Sequence, residues 1–420
     1  MEQVRERSVA DLLAGSRRTS LYERLVLSLL GSLTKGNLTL TLPDGAVVRI
    51  GEKDSSVRAS LHVKDAAMYR KSILYGDVGF GESYVDGDWE TDSITNLISW
   101  WILNYENNPA LSGSRRRFSP MGFLQFADRV AHLFRANTKT GSRRNIAEHY
   151  DLSNEFYSLW LDPTMTYSSA HFPREGMTLE QGQTEKYDRL CRQLKVTSAD
   201  HVLEIGSGWG GFAVHAVKNY GCRITTVTIS KEQYAYAKAR FEREGVADKV
   251  TIELRDYRDI TGEYDKVVSI EMLEAVGHRF LPAYFGTVQR VLKRDGLAGF
   301  QVITSPDARY EQFRKGVDWI QTHIFPGTLL PSIAAMNSAV NKTGEMHLVD
   351  LKDFGRDYAR TLGEWRQSFN QKLEQIRTLG FDDRFIRKWN YYLSYCEAAF
   401  AMRNISVVQM VYSRPNNLSA

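Results

Sequence analysis

The stretch that decides the fold is V-L-E-I-G-S-G-W-G-G at 202–211, an apolar run that passes directly into a glycine-rich turn. The helix-forming sequence F-A-V-H-A-V follows it. Glycine is needed in such a turn because the chain reverses sharply and its backbone must come close to a ligand. The pattern predicts a strand, a ligand-binding loop and a helix, with a tight turn that binds no ligand as the alternative.

Apolar segments alternate with amphipathic segments through the C-terminal half of the chain. The segments with strand character lie at 202–206, 224–229, 250–254, 266–270, 298–304 and 405–412. Strands that alternate with helices are typical of a doubly wound α/β fold with a parallel sheet. Earlier in the chain, L-T-L-T-L-P-D-G-A-V-V-R at 38–49 predicts a β-hairpin.

Length and local composition predict two domains, because 420 residues exceed what one hydrophobic core usually organises. Polar, arginine-bearing stretches lie at 112–117 and 137–144. We therefore expect a smaller N-terminal α+β domain at 1–125, a linker at 126–144 and the α/β domain at 145–420. The arginines of these stretches fit either a solvated connector or a patch for lipid headgroups.

The overall composition is typical of an ordered globular protein, with 43% hydrophobic residues, 25% charged residues and a net charge of +4. Cys191, Cys222 and Cys396 are widely spaced, which favours reduced thiols in the cytoplasm and excludes a zinc-binding spacing. The apolar run at 21–33 is too short to span a bilayer. With charges of both signs at the N-terminus, we expect no secretory signal and a protein that meets membranes from the cytoplasmic surface.

The residues after the second and third strands separate the possible cofactors. Thr228, Ile229 and Ser230 stand where a nicotinamide-binding site usually places an acid for the ribose. This argues against NAD, and the missing G-K-S or G-K-T ending excludes a P-loop. Asp256 and Tyr257 follow the third strand, where the tyrosine is either an aromatic cover for a purine or an exposed turn residue.

Ordered motifs along nearly the whole chain carry a family resemblance. They are G-F-G-E-S-Y-V-D-G-D-W-E (79–90), H-Y-D-L-S-N-E-F-Y (149–157), M-T-Y-S-S-A-H-F (165–172), the glycine loop, T-I-S-K-E-Q (228–233), S-I-E-M-L-E-A-V-G (269–277), I-F-P-G-T-L-L-P-S (324–332) and W-N-Y-Y-L-S-Y-C-E-A-A-F (389–400). The sequence resembles the cyclopropane fatty acid synthases and the related mycolic acid cyclopropane and methyl transferases. The motif at 79–90 lies in a segment that the phospholipid-acting synthases carry, so the resemblance implies an unsaturated phospholipid in a bilayer as substrate.

The resemblance also implies S-adenosylmethionine as cofactor, a bicarbonate ion as the base, and a homodimer. The implied cofactor-binding residues are Tyr167 and Ser168 at the methionine end, Gly206, Gly208 and Gly210 in the loop, Thr228, Ile229 and Gln233 at ribose and methionine, and Tyr257 and Ile270 beside adenine. The implied bicarbonate ligands are Ser169, Glu274, Gln301, Ile303 and Tyr358. Among these, Glu274 and Tyr358 are the residues that we expect to hold, or to be, the proton acceptor.

Three positions bear on the chemistry of that site. The family commonly has cysteine at Ser169 and histidine at Gln301, and both replacements can donate hydrogen bonds without the same acid–base capacity. We therefore expect weaker ring closure, with cyclopropane as the default product and a raised share of methyl-branched or unsaturated methylated chains. Cys396 aligns with a cysteine once considered a nucleophile, but its apolar helix favours a buried structural thiol.

An alkene is a weak nucleophile, so its reaction needs apolar walls that align it and exclude water from the cation. The stretch at 319–333, with Trp365, Phe369 and Tyr391, could supply these walls or could be ordinary core packing. Other open alternatives are a methyl-branched or methylene product, a non-catalytic lipid-binding protein, and a small-molecule methyltransferase. The last would leave the matches outside the loop domain unexplained.

Overall fold

A computed structural model describes Val9, residues 19–105 and residues 152–418 of the chain. The predicted linker at 126–144 and its arginines lie outside the described residues. The elements follow one another in this order: α1 (Leu21–Gly31), β1 (Asn37–Thr41), β2 (Val47–Gly51), β3 (Arg58–Val63), α2 (Ala67–Asp86), β4 (Trp89–Glu90), α3 (Ile94–Tyr105), α4 (Asn154–Ser158), α5 (Leu179–Gln193), β5 (His201–Ile205), α6 (Gly211–Tyr220), β6 (Arg223–Thr228), α7 (Lys231–Arg243), β7 (Val250–Leu254), β8 (Tyr264–Ile270), α8 (Leu281–Val291), β9 (Leu292–Thr304), α9 (Tyr310–Lys315), α10 (Trp319–His323), α11 (Ile333–Thr343), β10 (His347–Asp353), α12 (Gly355–Gln371), α13 (Leu373–Thr378), α14 (Asp383–Ala401) and β11 (Ser406–Ser413). Short 3₁₀ helices lie at Tyr257–Asp259, Leu273–Ala275, His278–Phe280 and Asp307–Arg309.

The chain forms two compact units that do not follow one cut in the sequence. The first unit joins the N-terminal part of the chain with 316–324 and 377–404. The second unit contains the described residues 152–315, then 325–376 and 405–418. The compact units therefore differ from the predicted contiguous division at 125 and 145, because α10 and α14 group with the N-terminal elements.

The first unit contains a four-stranded sheet in the order β2-β1-β3-β4. The predicted hairpin at 38–49 is present, since β1 and β2 pair antiparallel with Leu40 opposite Val48. Helix α14 packs against α2 and α3. Within residues 19–105 and 152–418, no helix combines the length and the hydropathy that crossing a bilayer requires.

The second unit is built on a seven-stranded sheet in the order β10-β11-β9-β8-β5-β6-β7. The strands from β9 to β7 run parallel, which confirms the doubly wound α/β fold. Strand β11, predicted at 405–412, pairs antiparallel with both β9 and β10. Strand β10 at His347–Asp353 was not predicted, because its side chains are half-buried or exposed and lack a strong apolar pattern.

Strand β5 lies in the middle of this sheet, and its side chains alternate between two apolar cores. Val202 packs in the core that contains Phe212 of α6. Leu203 packs in the core that contains Phe285 of α8 and Phe300 of β9. Helices on both faces thereby hold β5 firmly and fix the place where its carboxyl end opens into the glycine turn.

Candidate active site

The glycine turn after β5, residues 206–210, is called the cofactor loop below. Gly206, Gly208 and Gly210 have φ values of +99°, +49° and +83°, a region that favours glycine. A Cβ atom added to Gly210 would lie 2.7 Å from the Phe241 ring, whereas one added to Gly208 would meet no atom within 4 Å. The loop therefore presents open backbone at the end of β5, which fits an extended cofactor lying across it.

The end of β6 brings three predicted cofactor residues together. Ser230 caps α7 by accepting a hydrogen bond from the backbone N–H of Gln233 at 3.2 Å. The Thr228 hydroxyl donates to the Gln233 side-chain oxygen at 3.0 Å, and Ile229 lies between strand and helix. The motif T-I-S-K-E-Q therefore ends a strand and caps the next helix. It also places polar side chains where a ribose would bind.

The predicted adenine-binding residues lie at the ends of β7 and β8, two strands that β5 and β6 separate in the sheet. Tyr257 begins the 3₁₀ helix after β7 and is half-buried, with its ring 5.2 Å from the Tyr284 ring. Burial raises the pKa of Tyr257 to about 12, so the ring stays neutral. Ile270 is the last residue of β8 and pairs with Gln301 of β9. Tyr257 is therefore a packed aromatic residue and not an exposed turn tyrosine.

Sequence reasoning missed a lysine beside the predicted methionine end of the cofactor. Lys186 of α5 is fully buried and hydrogen bonds the Ser168 hydroxyl. Gln183 donates to the Ser168 carbonyl at 2.9 Å. Burial lowers the pKa of Lys186 to about 7, against the opposing effect of nearby acids. One turn of an amphipathic helix does not distinguish such an inward lysine from a surface one, so no sequence signal identified it.

Glu271 is the second residue that the sequence analysis missed, and it organises the predicted base site. Its Oε1 accepts from the Ser169 backbone N–H at 2.9 Å and from the Gln301 Nε2 at 2.8 Å. Its Oε2 accepts from the Tyr358 hydroxyl at 2.7 Å. These three donors belong to residues that the resemblance assigns to bicarbonate.

Glu274, by contrast, was predicted, and it lies one 3₁₀ turn further along. The backbone N–H of Ile303 donates to its Oε1 at 2.5 Å. Its Oε2 is buried and has no hydrogen-bond partner among the described residues. Burial, together with the negative charge of Glu271, raises the pKa of Glu274 to about 8. The residues Ser169, Glu271, Glu274, Gln301, Ile303 and Tyr358 are called the carboxylate cluster below.

Ser169 and Cys396 differ from the other residues of the predicted catalytic set. The Ser169 hydroxyl donates to the carbonyl of Ala170 at 2.8 Å, so Ser169 reaches the cluster through its backbone and not through its side chain. Cys396 belongs to the first unit, whereas all the other predicted site residues belong to the second. Burial raises the pKa of the Cys396 thiol, which keeps it protonated. Cys396 is half-buried, so the buried structural thiol that its apolar helix favours stays a prediction.

Aromatic rings connect the cofactor loop to the carboxylate cluster within the second unit. The Trp209 ring lies 5.0 Å from Tyr157, which lies 5.4 Å from Tyr167. Tyr167 lies 5.3 Å from Trp365, and Trp365 lies 6.2 Å from Tyr358. A contiguous aromatic surface of this kind can exclude water and stabilise a cation through the ring faces.

The other predicted wall residues divide between the two units. Phe325 and Phe369 pack in the second unit, against Tyr167 and Phe156 respectively. Tyr391 and α10 belong to the first unit, where the Tyr391 ring lies 4.6 Å from Trp319. The first-unit rings therefore have ordinary packing partners of their own.

The two implied small molecules fit these residues unequally. Open backbone at Gly208 and the polar strand end at Thr228 suit S-adenosylmethionine. Bicarbonate does not fit the described side chains, because Glu271 already accepts the hydrogen bonds of Ser169, Gln301 and Tyr358. The expectation of a bicarbonate base therefore disagrees with the side chains present.

The family model for mycolic acid cyclopropane synthetase matches residues 137–410. The tuberculostearic acid methyltransferase UfaA1 of Mycobacterium tuberculosis is 37% identical over 90% of this chain and 88% of its own length. The cyclopropane-fatty-acyl-phospholipid synthase of Escherichia coli is 35% identical over 86% of this chain and 89% of its own.

A solved structure of the mycolic acid cyclopropane synthase CmaA1, complexed with SAH and CTAB, superposes with a TM-score of 0.60. It is 28% identical and covers 65% of this chain and 98% of its own. The cyclopropane synthase MmaA2 from Mycobacterium tuberculosis gives the same TM-score at 29% identity, over 65% of this chain and 98% of its own.

Proposed function

The chain belongs to the mycolic acid cyclopropane synthetase family, and we propose that it bridges the double bond of an unsaturated phospholipid acyl chain with one carbon. It is an S-adenosylmethionine-dependent C-methyltransferase that acts on acyl lipids. A phospholipid in a bilayer is the proposed substrate, and a cyclopropane ring is the proposed product.

The observation that carries the proposal is the continuous line of contacts from the cofactor loop to the carboxylate cluster. The cofactor loop also lies close to the segment that carries Glu271: a Cβ atom added to Gly206 would be 3.4 Å from Met272, the next residue. Along the line, Tyr167 and Trp365 offer ring faces to a cation. The second unit therefore contains residues suited to position the alkene that accepts the methyl group, to shield the cation from water and to remove the proton.

Bound S-adenosylmethionine would supply the methyl group from its sulfonium. The residues of the chain would align the alkene with that methyl, exclude water and accept a proton. Tyr167 and Trp365 suit the first two tasks because their rings are large and apolar. A carboxylate of the cluster suits the third, because burial raises the pKa of both Glu271 and Glu274.

The phospholipid substrate is supported by the extent of the Escherichia coli likeness. An alignment over 86% of the chain includes residues outside the family match at 137–410. That longer likeness is to a protein named for a fatty-acyl-phospholipid, and it reaches into the N-terminal part. The proposed substrate therefore lies in a membrane, which the protein would approach from the surface.

Two exposed leucines on α1 offer an apolar contact for this approach. Leu21 is 70% exposed and Leu25, one helical turn later, is 46% exposed, and Arg24 lies exposed beside them. Leucines on a helix face can insert at a lipid interface, and arginine favours anionic headgroups. Docking through the first unit is thus part of the proposal, whereas the homodimer implied by the resemblance stays a prediction.

Expression in a host that lacks such enzymes tests the reaction. We expect phospholipid acyl chains one methylene unit heavier, with cyclopropane signals in proton NMR of the extracted lipids. A methylene chain has the same mass as the cyclopropane chain and would be recognised by its alkene proton signals, whereas a saturated methyl-branched chain is two hydrogens heavier; either would instead support the alternative product. Unmodified lipids from a folded protein that binds S-adenosylmethionine in calorimetry would contradict the proposed substrate, and absent binding would favour a non-catalytic lipid-binding protein.

Vesicle sedimentation tests the docking with a matched pair of variants. Leu25→Glu should weaken binding to anionic vesicles several-fold, since it replaces an apolar contact by a charge at the lipid surface. Leu254→Glu changes a leucine of similar exposure, 45%, in the second unit and should leave binding intact. Wild-type binding should fall as salt rises. Equal loss in both variants would contradict docking through α1.

Deleting the N-terminal segment is a poorer test. Segments 316–324 and 377–404 belong to the same compact unit as that segment and would lose their packing partners. A truncated protein could then fail to bind membranes because it no longer folds. Single substitutions on the surface of α1 avoid this ambiguity.

A further inference from the structure

We propose that the Glu271 carboxylate is a built-in replacement for the bicarbonate of the family, and that it is the base which removes the proton during the reaction. The inference rests on the proposed function. It starts from the observation that Glu271 accepts hydrogen bonds from Ser169, Gln301 and Tyr358, which the resemblance assigns to the ion. The carboxylate of an aspartate or glutamate and bicarbonate share the same planar, two-oxygen acceptor geometry.

Hydrogen bonds on the other side of Gln301 fix the orientation of its side-chain amide. The Gln301 side-chain oxygen accepts from Gln409 of β11 at 3.0 Å, so its Nε2 is left to donate to Glu271. Arg189 of α5 in turn donates to the Gln409 oxygen at 2.9 Å. A chain of oriented donors therefore ends on Glu271, which is how protein sites preorganise an anion.

The backbone conformation of Glu271 also indicates that the surrounding structure holds this residue in place. Its φ is +49°, a left-handed conformation that is unfavourable for residues other than glycine. Its N–H donates to the Gln301 carbonyl at 2.7 Å. Such conformations persist where the surrounding structure holds them and they cluster at functional sites. Glycine would adopt the same conformation freely, which makes it the least disruptive substitution here.

The neighbouring charges decide which carboxylate is ionised. At neutral pH Glu274 is mostly protonated, because its pKa is raised to about 8 by burial and by the charge of Glu271. Lys186 and the three donors favour the charged form of Glu271 and oppose the upward shift of its pKa that burial causes. A negative charge is therefore more favourable on Glu271, which has three hydrogen-bond donors and Lys186 nearby, than on Glu274.

The proposed step balances without any further reactant. The alkene π pair forms the bond to the methyl carbon, and the cofactor sulfur keeps the electron pair of the bond that breaks. A C–H bond of the added methyl then gives its electron pair to the new ring bond. Its proton passes to a Glu271 oxygen, from which it later returns to solvent.

Turnover in buffer freed of carbon dioxide tests this assignment in three proteins. The wild-type enzyme should methylate unsaturated phospholipid vesicles equally with and without added bicarbonate. Glu271→Gly should lose about 100-fold or more in rate without bicarbonate, the usual contribution of a general base, and regain much of it when bicarbonate is added. Glu271→Gln fills the same space without a charge, so bicarbonate should not rescue it.

Binding of ¹³C-labelled bicarbonate gives a readout that does not depend on activity. NMR line broadening should detect the ion with Glu271→Gly but not with the wild type or Glu271→Gln. Thermal melting checks that all three proteins are folded. A wild-type enzyme that binds bicarbonate and slows when it is removed would overturn the inference while leaving the proposed function intact. The inference would equally fall if Glu271→Gly turned over at the wild-type rate without bicarbonate. No product from the wild type in either buffer would overturn the proposed function itself.

Discussion

The cofactor loop and the carboxylate cluster lie in one compact unit, yet they are assembled from the chain in opposite ways. The loop consists of consecutive residues whose glycines have positive φ. In the cluster, Glu271 joins residues that are 30, 87 and 102 positions away in sequence. A site made of local backbone is recognisable as a motif, whereas a site made of distant side chains is known only once the sheet and helices are placed.

The cofactor loop should be the more fragile of the two toward a single substitution. Gly208→Val puts a β-branched residue at φ +49° and a side chain in the open space above the loop. We expect S-adenosylmethionine affinity to fall by more than about 100-fold, because both the backbone and the ligand approach are affected. Calorimetry on the folded variant measures this.

Gly245→Val provides the matched control for the loop. Gly245 also has a positive φ, +69°, and open space around it, but it lies in the exposed turn after α7. The same strain should leave cofactor affinity unchanged there. Loss of affinity in both variants would show that general destabilisation, and not the loop, explains the effect.

The carboxylate cluster should respond through its pH dependence. The Tyr358 hydrogen bond lowers the pKa of Glu271, so Tyr358→Phe should raise it. A base must be ionised, and activity is lost as pH falls through its pKa. The acid limb of the pH–rate profile should therefore move to higher pH, with a rate at neutral pH roughly 10- to 100-fold lower, as expected for a lost bond to a charged group.

Tyr412→Phe is the control for that experiment. Tyr412 also makes one side-chain hydrogen bond, from its hydroxyl to Asn337 at 2.7 Å, away from Glu271. Its removal should cost some stability and leave the acid limb in place. An unmoved limb in Tyr358→Phe would contradict the role of Glu271 as the titrating base.

The smallest changes in rate are expected at Gln301 and Ser169, the two positions at which the sequence departs from the family, and they should differ between the two. Gln301→His disturbs the donor to Glu271 and should slow turnover roughly tenfold. Ser169→Cys should change the rate by no more than about twofold, since the Ser169 contact uses the backbone N–H. Lipid extracts from both variants and from the double variant give the product ratio. A large change in Ser169→Cys would contradict the backbone role.

The same extracts test the expectation of weaker ring closure. That expectation assumed that the replaced cysteine and histidine left the base site short of acid–base capacity. Glu271 supplies a carboxylate at that place, which weakens the assumption. A raised share of methyl-branched or unsaturated methylated chains nevertheless stays a prediction. It would be supported if the double variant made a larger proportion of cyclopropane than the wild type.

The sequence allowed prediction of the features that depend on short-range patterns. The six C-terminal strands, the hairpin and the loop appear where apolar runs and glycines indicated them. Exposed β10 lacked such a pattern. Glu271 sits in the same S-I-E-M-L-E motif as Glu274, but the spacing of two glutamates does not say which oxygens meet which donors. That information resides in the packing of β9, α12 and the segment around Ser169.

The position of strand β11 determines when the sheet can be completed during synthesis. It inserts between β9 and β10, which both precede it in the chain, and it brings Gln409 to the amide of Gln301. A ribosome that has made β9 and β10 has therefore not yet made the strand that joins them. The nascent polypeptide therefore carries unpaired edges on β9 and β10 until residues 406–413 emerge, and such edges favour incorrect strand pairing.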